Sequence, residues 1–371
     1  MSLDLTLQLI ATTTPEYMKQ VEDAAVRNNV VFALLKQRKR IEYDSSGQFL
    51  QWPVKINLPE SYGFTGGATI DYEESDKYRM AQLEWRGVYS TDMMTEPDKL
   101  RNKGTAAIIE RYAQIMPDLE ESLVDKFSMS LYSDGNTVSD LPHGLETIFT
   151  RDTGVAVTAA DRVAIPSTTY AGLPTKPGSL GGSWSASLTT KPNAAFGYDW
   201  PSGEGTRNFD AWSPKLLNWS STAWAGATNT SFGDTGERVI RQGINWCMQG
   251  GGKPGRVDLC ILSPELYTEY LNGMAARNRV IMPAKNLIDL GFPEGVAQDG
   301  AEITQEFGVP LNTGYLLNVD KVQVKSLGSQ LFMSKGPDWE PRTFSYLFAV
   351  YFFGNYKFAS PKFFAKLYPY A

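Results

Sequence analysis

The hydrophobic pattern predicts one long amphipathic helix in the first half of the chain, over residues 105–131. Its apolar positions recur every three or four residues, the spacing that places side chains on one face of a helix. They are Ile109, Tyr112, Ala113, Met116, Leu119, Leu123 and Phe127. At about 1.5 Å per residue this helix spans roughly 40 Å, and Ser133-Asp134-Gly135 ends it with residues that tolerate a left-handed backbone. Pro117 predicts a bend, or a break near Ala113.

Before this helix the pattern changes from helical to alternating. Thr14-Pro15-Glu16 carries the cap, the first-turn proline and the acid that open a helix. We expect the helical segment to continue to about Gln37, either as one helix or, because Asn28-Asn29 weakens the signal, as two shorter helices. Apolar and polar residues alternate over 52–58 and again over 81–85, which predicts two strands. Because a long polar tip joins them, we expect an extended two-stranded arm that lies on another chain. The alternative is an ordinary surface hairpin on its own domain.

After the helix, residues 144–150 are expected to form a strand. Residues 151–211 are rich in Gly, Pro, Ser and Thr, with no dominant period, and predict loops with short strands. Four aromatic residues are spread through this stretch, namely Trp184, Phe196, Tyr198 and Trp200. Loop aromatics usually fix an irregular insertion in place, while a sugar-binding surface is the alternative.

A compact α/β lobe is predicted further along the chain. Asp234 with Glu237 resembles a capping box and opens one helix. A buried strand is predicted over 256–262, and Ser263-Pro264-Glu265 opens a second helix that Gly273 should end.

The end of the chain, over 344–368, is strand-like, with a hairpin turn predicted at Gly354-Asn355. Its residues are apolar at both alternating sets of positions. We therefore expect this segment to be covered on both faces and to return to the long helix.

Composition and charge limit the class of protein to which this chain can belong. The 371 residues are 42% hydrophobic and 20% charged, which is typical of a globular protein with a substantial core. The formal charge is −6, so the chain lacks the basic excess of proteins that grip nucleic acid through phosphate contacts. The basic run Lys36 to Arg40 is interpreted as the solvated end of a helix.

Cysteine usage and the N-terminal sequence indicate the compartment. Cys247 and Cys260 are the two cysteines, and residues 1–10 lack a signal-peptide pattern. Both observations favour a reducing cytoplasm, where the thiols behave as small core hydrophobes. No apolar stretch approaches the length of a membrane span, so no membrane partner is expected.

The candidate catalytic motifs depart from their patterns. Gly250 to Lys253 resembles a phosphate loop, but Pro254 stands where a magnesium-binding hydroxyl belongs and Cys247 where the first glycine belongs. His143 is the only histidine and precedes a turn glycine, which favours a turn role over catalysis and disfavours a zinc site. We therefore predict a protein that is not an enzyme and has no cofactor, although a hydrolase using carboxylates from distant strands stays possible.

Two blocks of short motifs occur in a characteristic order. The first runs from Tyr89-Ser90-Thr91-Asp92 through the long helix to Leu131-Tyr132-Ser133-Asp134-Gly135, His143-Gly144-Leu145-Glu146-Thr147-Ile148, Tyr170-Ala171-Gly172-Leu173 and Trp184. The second runs from Trp212-Ser213-Pro214-Lys215-Leu216 to Asp258-Leu259-Cys260-Ile261-Leu262-Ser263-Pro264-Glu265-Leu266-Tyr267. In this order they resemble the major capsid proteins of tailed bacteriophages, of the Hong Kong 97 type. The chain departs from that family at Pro174-Thr175-Lys176, where an arginine is usual, and in a long stretch over 185–211.

This resemblance implies an α+β, Hong Kong 97-like capsid fold in five parts. They are an N-terminal arm (1–40), an extended loop (41–100), a peripheral domain with the long spine helix and an insertion (101–214), an axial domain (215–335), and C-terminal strands that return to the peripheral domain (336–371). Arms and loops would lie over neighbouring subunits around pentamers and hexamers. The tip of the extended loop would supply inter-subunit contacts through Tyr62, Gly63, Phe64, Gly66 and Gly67.

The function implied is a major capsid protein that self-assembles into an icosahedral phage head around double-stranded DNA, without sequence-specific binding. It would belong to the virion after assembly in the host bacterial cytoplasm. Its partners would be a portal, possible decoration proteins and a separate scaffolding protein, because no scaffolding segment precedes the arm. Two alternatives stay open: an encapsulin-like nanocompartment shell, and a carbohydrate-binding or carbohydrate-active protein that uses Trp184 and Trp200.

Overall fold

The computed structural model describes residues 30–59, 61, 63–66, 72, 74, 76–97, 105–155, 157–185, 200–224, 230–249, 252–276, 282–283 and 295–369. The helices described are α1 (Val30–Gln37), α2 (Thr105–Ser130), α3 (Glu146–Phe149), α4 (Phe232–Gln249) and α5 (Pro264–Ala276). The strands described are β1 (Ile41–Glu42), β2 (Leu50–Lys55), β3 (Tyr78–Leu83), β4 (Arg86–Thr95), β5 (Val163–Ala164), β6 (Thr169–Tyr170), β7 (Leu173–Pro174), β8 (Trp184–Ser185), β9 (Glu204–Gly205), β10 (Lys215–Asn218), β11 (Leu259–Leu262), β12 (Met282–Pro283), β13 (Val296–Gln298), β14 (Ala301–Gln305), β15 (Gly314–Leu317), β16 (Val322–Ser326), β17 (Met333–Glu340), β18 (Ser345–Phe358) and β19 (Ala365–Tyr368).

A five-stranded sheet is organised around β18, a strand of 14 residues. On one side β18 pairs with β4, from Ser345 opposite Thr95 to Gly354 opposite Arg86. On the other side it pairs first with β17 and then with β16, which β1 extends. The C-terminal segment therefore does form strand, as its apolar pattern predicts. Its strand β18 pairs with three of the other four strands of this sheet.

The hairpin turn predicted at Gly354-Asn355 is wrong, because β18 passes straight through both residues. Gly354 lies where a Cβ would collide with the carbonyl oxygen of Lys325 on β16, so its small size serves close strand approach. The buried Asn355 amide donates to the Glu84 carbonyl at 2.9 Å, and its oxygen accepts from the His143 backbone N–H at 2.8 Å. These long-range bonds outweigh the local turn preference of the Gly-Asn pair.

The long helix α2 ends one residue before the predicted boundary and packs on this sheet. Among its predicted stripe residues, Leu119, Leu123 and Phe127 are buried, whereas the side chains of Ile109, Tyr112 and Ala113 lie outside the described residues. The predicted break near Ala113 is wrong, since the helix is continuous through Pro117. Pro117 lies on the exposed side, while the residues after it are held against the sheet, which offsets the lost backbone hydrogen bond.

A second, eight-stranded sheet forms the core of the α/β lobe. Its strands lie in the order β12-β13-β14-β11-β15-β19-β10-β5, with α4 and α5 packed beside it. The predicted helices are both present, but α4 begins earlier, at Phe232, whose backbone N–H donates to Glu269 of α5 at 3.2 Å. Gly273 does not end α5, because it lies inside that helix where a Cβ would collide with the backbone of Gly233 on α4. Cys247 and Cys260 are free, buried core residues, as predicted.

The strand expected over 144–150 is also wrong, because residues 146–149 form the single helical turn α3. Thr147, Ile148 and Phe149 are consecutive and all buried, which a helical turn allows and a half-exposed strand does not. The Glu146 carboxylate accepts hydrogen bonds from Tyr315 and Lys366, so α3 is tied to the eight-stranded sheet.

The helix α1 is part of the subunit core. Its apolar residues Val30, Val31, Leu34 and Leu35 are all buried. The basic run at its end is not merely solvated as interpreted, because Arg38 pairs with Asp258 and Arg40 pairs with Asp320 at 2.8 Å. The part of the predicted helix before Val30 lies outside the described residues.

Candidate inter-subunit surfaces

One face of the five-stranded sheet carries large apolar side chains that are left exposed. Alternate residues of β18 point to opposite faces, and the even-numbered ones face α2. On the other face, cross-strand pairs join Leu347 to Met93 and Tyr351 to Tyr89. We call this surface the open face, defined by Tyr89 (75% exposed), Met93 (56%), Leu347 (38%), Tyr351 and Phe353 (49%). Contiguous exposed apolar surface of this kind marks an interaction site.

The sequence pattern predicts that this surface is apolar, but it does not predict that the surface is exposed. The alternation over 344–358 predicts apolar residues on both faces and therefore cover on both sides. Among the residues that the structure describes, only one of these faces is covered, while the rings of Tyr351 and Phe353 lie 5.4 Å apart on the other. The pattern thus predicts a cover for the open face that the described residues do not supply.

The extended loop is anchored at its base. β2 and β3 pair antiparallel from Leu50 opposite Leu83 to Lys55 opposite Tyr78. Inward-facing residues of both strands, such as Trp52, belong to the subunit core, and the Trp52 and Tyr170 rings lie 6.3 Å apart. The expectation that the whole hairpin lies on another chain is therefore wrong for its base, because alternating apolar residues bury one face of it on its own subunit.

The tip of the loop is exposed. Of the predicted contact residues, Gly63, Phe64 and Gly66 are described, whereas Tyr62 and Gly67 lie outside the described residues. The Phe64 side chain is 75% exposed, and around Gly63 and Gly66 no heavy atom beyond their chain neighbours lies within 4 Å of a Cβ position. The tip residues that the structure describes are thus exposed and open to contact.

A cleft of about 810 Å³ opens between the hairpin base, the insertion and α4. Two tryptophans form part of its wall, and both are hydrogen-bonded to Ser202. The Trp184 indole N–H donates to the Ser202 carbonyl at 2.8 Å, and the Trp246 indole N–H donates to the Ser202 hydroxyl at 3.0 Å. Trp200 is fully buried, with the Lys215 ammonium 4.7 Å from its ring centroid. Of the two tryptophans named in the carbohydrate alternative, only Trp184 reaches a surface.

A buried ion network lies at the floor of this cleft. Asp210 accepts from the fully buried Lys215 at 3.2 Å and from Lys362 at 3.0 Å. Burial acts to raise the pKa of Asp210, but the two ammonium groups hold it below its ordinary value. Burial in turn lowers the pKa of Lys215. The network ties the insertion to β10 and to the segment before β19, which is a structural role.

His143, the histidine considered for catalysis, is buried and packed within the subunit. Burial lowers the pKa of His143 to about 4, so its ring is neutral at pH 7, and it packs directly against Gly135. Among the residues that the structure describes, no three His, Cys, Asp or Glu side chains cluster as metal ligands would. Within the same residues, none of the helices combines the length and hydropathy needed to cross a membrane.

The described residues thus form a long helix on one face of a sheet, an exposed apolar surface on the other face, and a hairpin with an anchored base and an exposed tip. No protein family profile and no curated protein sequence matches the chain. Its fold is similar to that of solved capsids over almost the whole length. These include the capsid asymmetric unit of cyanophage A-1(L) (12% identity, 96% of each chain, TM-score 0.58), the capsid of a native GTA particle (10% identity, 97% of this chain and 96% of the other, TM-score 0.56) and the mature capsid of bacteriophage PhiM1 (11% identity, 96% and 91%, TM-score 0.51).

The chain therefore has the α+β fold of the Hong Kong 97-type phage capsid proteins, which confirms the fold that the motif order in its sequence predicts. At 10–12% identity the similarity is one of fold. The function of this chain is therefore inferred from its own open face and loop tip.

Proposed function

We propose that this chain is the major capsid protein of a tailed-phage head, which self-assembles through pentamers and hexamers into an icosahedral shell. The observation that carries the proposal is the open face, a row of exposed apolar side chains on the sheet that also forms the subunit core. Full burial of one such side chain stabilises by ~1.5–3 kcal/mol. A neighbour that covers several of them gains enough free energy to associate.

The extended loop of a neighbouring subunit is the proposed cover. Its anchored base fixes the direction of the hairpin, and its tip presents Phe64 and Tyr72, which are 75% and 93% exposed. We infer that Tyr62, Gly63, Phe64, Gly66 and Gly67 make this contact, with small glycines allowing close approach. Repeated around a closed shell, many modest contacts give a stability that no single interface supplies.

The shell would enclose double-stranded DNA without gripping it. The formal charge of −6 gives no basic excess that would bind phosphates tightly, so packaged DNA could be released. We further propose a portal, a separate scaffolding protein and a decoration protein as partners, a place in the virion, and assembly in the host bacterial cytoplasm. No catalytic role is proposed for any residue.

Electron microscopy of the purified protein tests the proposal, together with analytical ultracentrifugation under a range of salt and protein concentrations. We expect closed particles of uniform diameter. A protein that stays monomeric under every condition of salt and protein concentration would overturn the proposal.

The loop tip is tested separately with Phe64→Ser. We expect particle yield to fall severalfold, because an exposed ring that a neighbour covers is lost, while subunit unfolding stays within about 0.5 kcal/mol of wild type. Val138→Ser is the matched control, since Val138 is an exposed apolar residue at 43% outside the loop and the open face. Equal yields from the two variants would show that the tip makes no inter-subunit contact.

Two other functions make different predictions. An encapsulin-like shell would yield particles that contain protein cargo, whereas nuclease-protected DNA in particles from infected or induced cells supports the phage head. A carbohydrate-binding protein would bind a glycan array, lose binding in Trp184→Ala, and behave as a monomer. The full burial of Trp200 favours the shell over this last alternative.

A further inference from the structure

A buried carboxyl group holds the first turn of α1. Glu306 directly follows β14 and is only 2% exposed. Its Oε2 accepts a hydrogen bond from the Val31 backbone N–H at 3.2 Å, and the Val30 N–H also bonds to it. The first N–H groups of a helix lack partners within the helix and are usually satisfied by a residue just before it. Here the partner is 275 residues away in sequence, so α1 is anchored through tertiary structure.

The surroundings of this carboxyl group are almost entirely apolar. Glu306 borders a small cavity between α1, α2 and β18, lined also by Val31, Phe32, Leu35, Phe127, Ser128, Leu131 and Tyr356. None of these neighbours carries a charge. The titratable groups that face Glu306 are the phenols of Tyr132 and Tyr356, and burial raises the pKa of both, so they are neutral near pH 7. Within the described part of the chain, no cation therefore balances an ionised Glu306.

We propose that Glu306 is a protonation-dependent latch on α1, which holds the first turn of the helix more tightly when its carboxyl group carries a proton. The neutral carboxyl still accepts the Val31 N–H bond through an oxygen lone pair, and it avoids the cost of a bare charge in an apolar site. When α1 moves away, the cavity opens and water can solvate the carboxylate. Ionisation thus favours the open position.

The direction of the pH dependence follows from the pKa. Burial raises the pKa of Glu306 to about 7, although hydrogen bonding with the Val31 and Val30 backbone N–H groups of α1 and with the Tyr132 hydroxyl opposes the rise. In the proposed open position water solvates the carboxyl group, so its pKa falls back toward the ordinary glutamate value of 4.5. The latch therefore contributes its full stabilisation below about pH 4.5, loses it as the pH rises from there to about 7, and changes little above pH 7.

This latch acts on one end of α1 only. The other end is held by the ion pairs of Arg38 with Asp258 and of Arg40 with Asp320, on the surface of the α/β lobe. The inference concerns a single subunit and does not depend on the proposed shell.

Amide hydrogen exchange of the unassembled subunit tests the latch. Exchange of peptides that cover residues 30–37 would be followed by mass spectrometry between pH 5.5 and 8.5 and corrected for intrinsic chemical exchange. From pKa values of about 7 and 4.5, we expect the opening equilibrium constant of α1 to be about tenfold smaller at pH 6 than at pH 8. In Glu306→Gln, which keeps the shape and the acceptor oxygen, this dependence should vanish.

The controls separate the latch from general pH effects. Glu302→Gln changes a glutamate on the same strand, β14, and should keep the tenfold dependence. Peptides from α5 provide an internal reference that should show no such change in wild type. A flat wild-type profile for residues 30–37, or an unchanged slope in Glu306→Gln, would overturn the proposal. The wild-type profile remains decisive if the variant does not fold, and failure of shell formation would leave the result unaffected.

Discussion

The two faces of β18 have similar chemistry but different surroundings. On the covered face, the Phe352 ring lies 4.7 Å from Phe127 of α2, and Phe348 and Val350 pack with the same helix. On the open face, Phe353 is 49% exposed, and Tyr89, which pairs with Tyr351 across the strands, is 75% exposed. Adjacent residues of one strand therefore differ in burial although both are large and apolar.

This difference shows what an apolar pattern can and cannot predict. Alternation predicts which side chains share a face, because successive residues of a strand point in opposite directions. Apolar character on both faces predicts that both will be covered. It does not indicate whether the cover is the same chain or another, since the free energy of burial is the same in either case. Changing one residue on each face separates the two contributions.

Phe352→Ala, on the covered face, should have the largest effect. Removal of a fully buried ring that contacts Phe127 leaves a cavity between α2 and the sheet, and we expect a loss of about 3–5 kcal/mol in the free energy of unfolding. Chemical denaturation of the unassembled subunit measures this. A loss below about 1 kcal/mol would mean that the covered face is not a true core.

The long helix and the strand β18 differ in how well the sequence predicts them. The end of α2 is predicted to within one residue, because the 3.6-residue period and the Ser133-Asp134-Gly135 stop are local signals. The course of β18 through Gly354-Asn355 is not, since it depends on bonds to residues 212 and 271 positions away. Local turn preference has no information about those partners.

The candidate surfaces were predictable to a similar, partial extent. The exposed tip could be anticipated from its polar, glycine-bearing sequence, and Phe64 and two of its glycines are indeed exposed. The open face was present in the alternation of 344–358, but Tyr89 and Met93 could join it only once the register of β4 against β18 was known. The Glu306 anchor left no sequence signal, because its partner is the backbone of α1.

Tyr89→Thr, on the open face, should leave the subunit stable and weaken association. Threonine suits a strand, and the ring it replaces is 75% exposed, so the free energy of unfolding should change by no more than about 0.5 kcal/mol. If a neighbour buries this ring, its loss removes ~1.5–3 kcal/mol of association free energy. The protein concentration needed for particle formation, measured by light scattering, should then rise at least about tenfold.

Tyr43→Thr is the matched control for that prediction. Tyr43 is 48% exposed and lies between β1 and β2, and it is not one of the residues that define the open face. We expect it to assemble at the wild-type concentration. If both threonine variants assemble as wild type does, the open face is not an interface and the comparison of the two faces loses its meaning.

Tyr356→Phe should have the smallest effect and shows how much of the covered face depends on a polar contact. The Tyr356 hydroxyl donates to the Phe127 carbonyl at 2.7 Å, and the Ser130 hydroxyl donates to the same oxygen at 2.6 Å. Because Ser130 still satisfies that carbonyl in the variant, we expect a loss near the lower end of about 0.5–1.5 kcal/mol in the free energy of unfolding. Tyr351→Phe makes the same change on the open face and should stay within about 0.5 kcal/mol of wild type. A loss in Tyr356→Phe as large as that in Phe352→Ala would instead mean that this hydrogen bond, rather than apolar packing, holds α2 on the sheet.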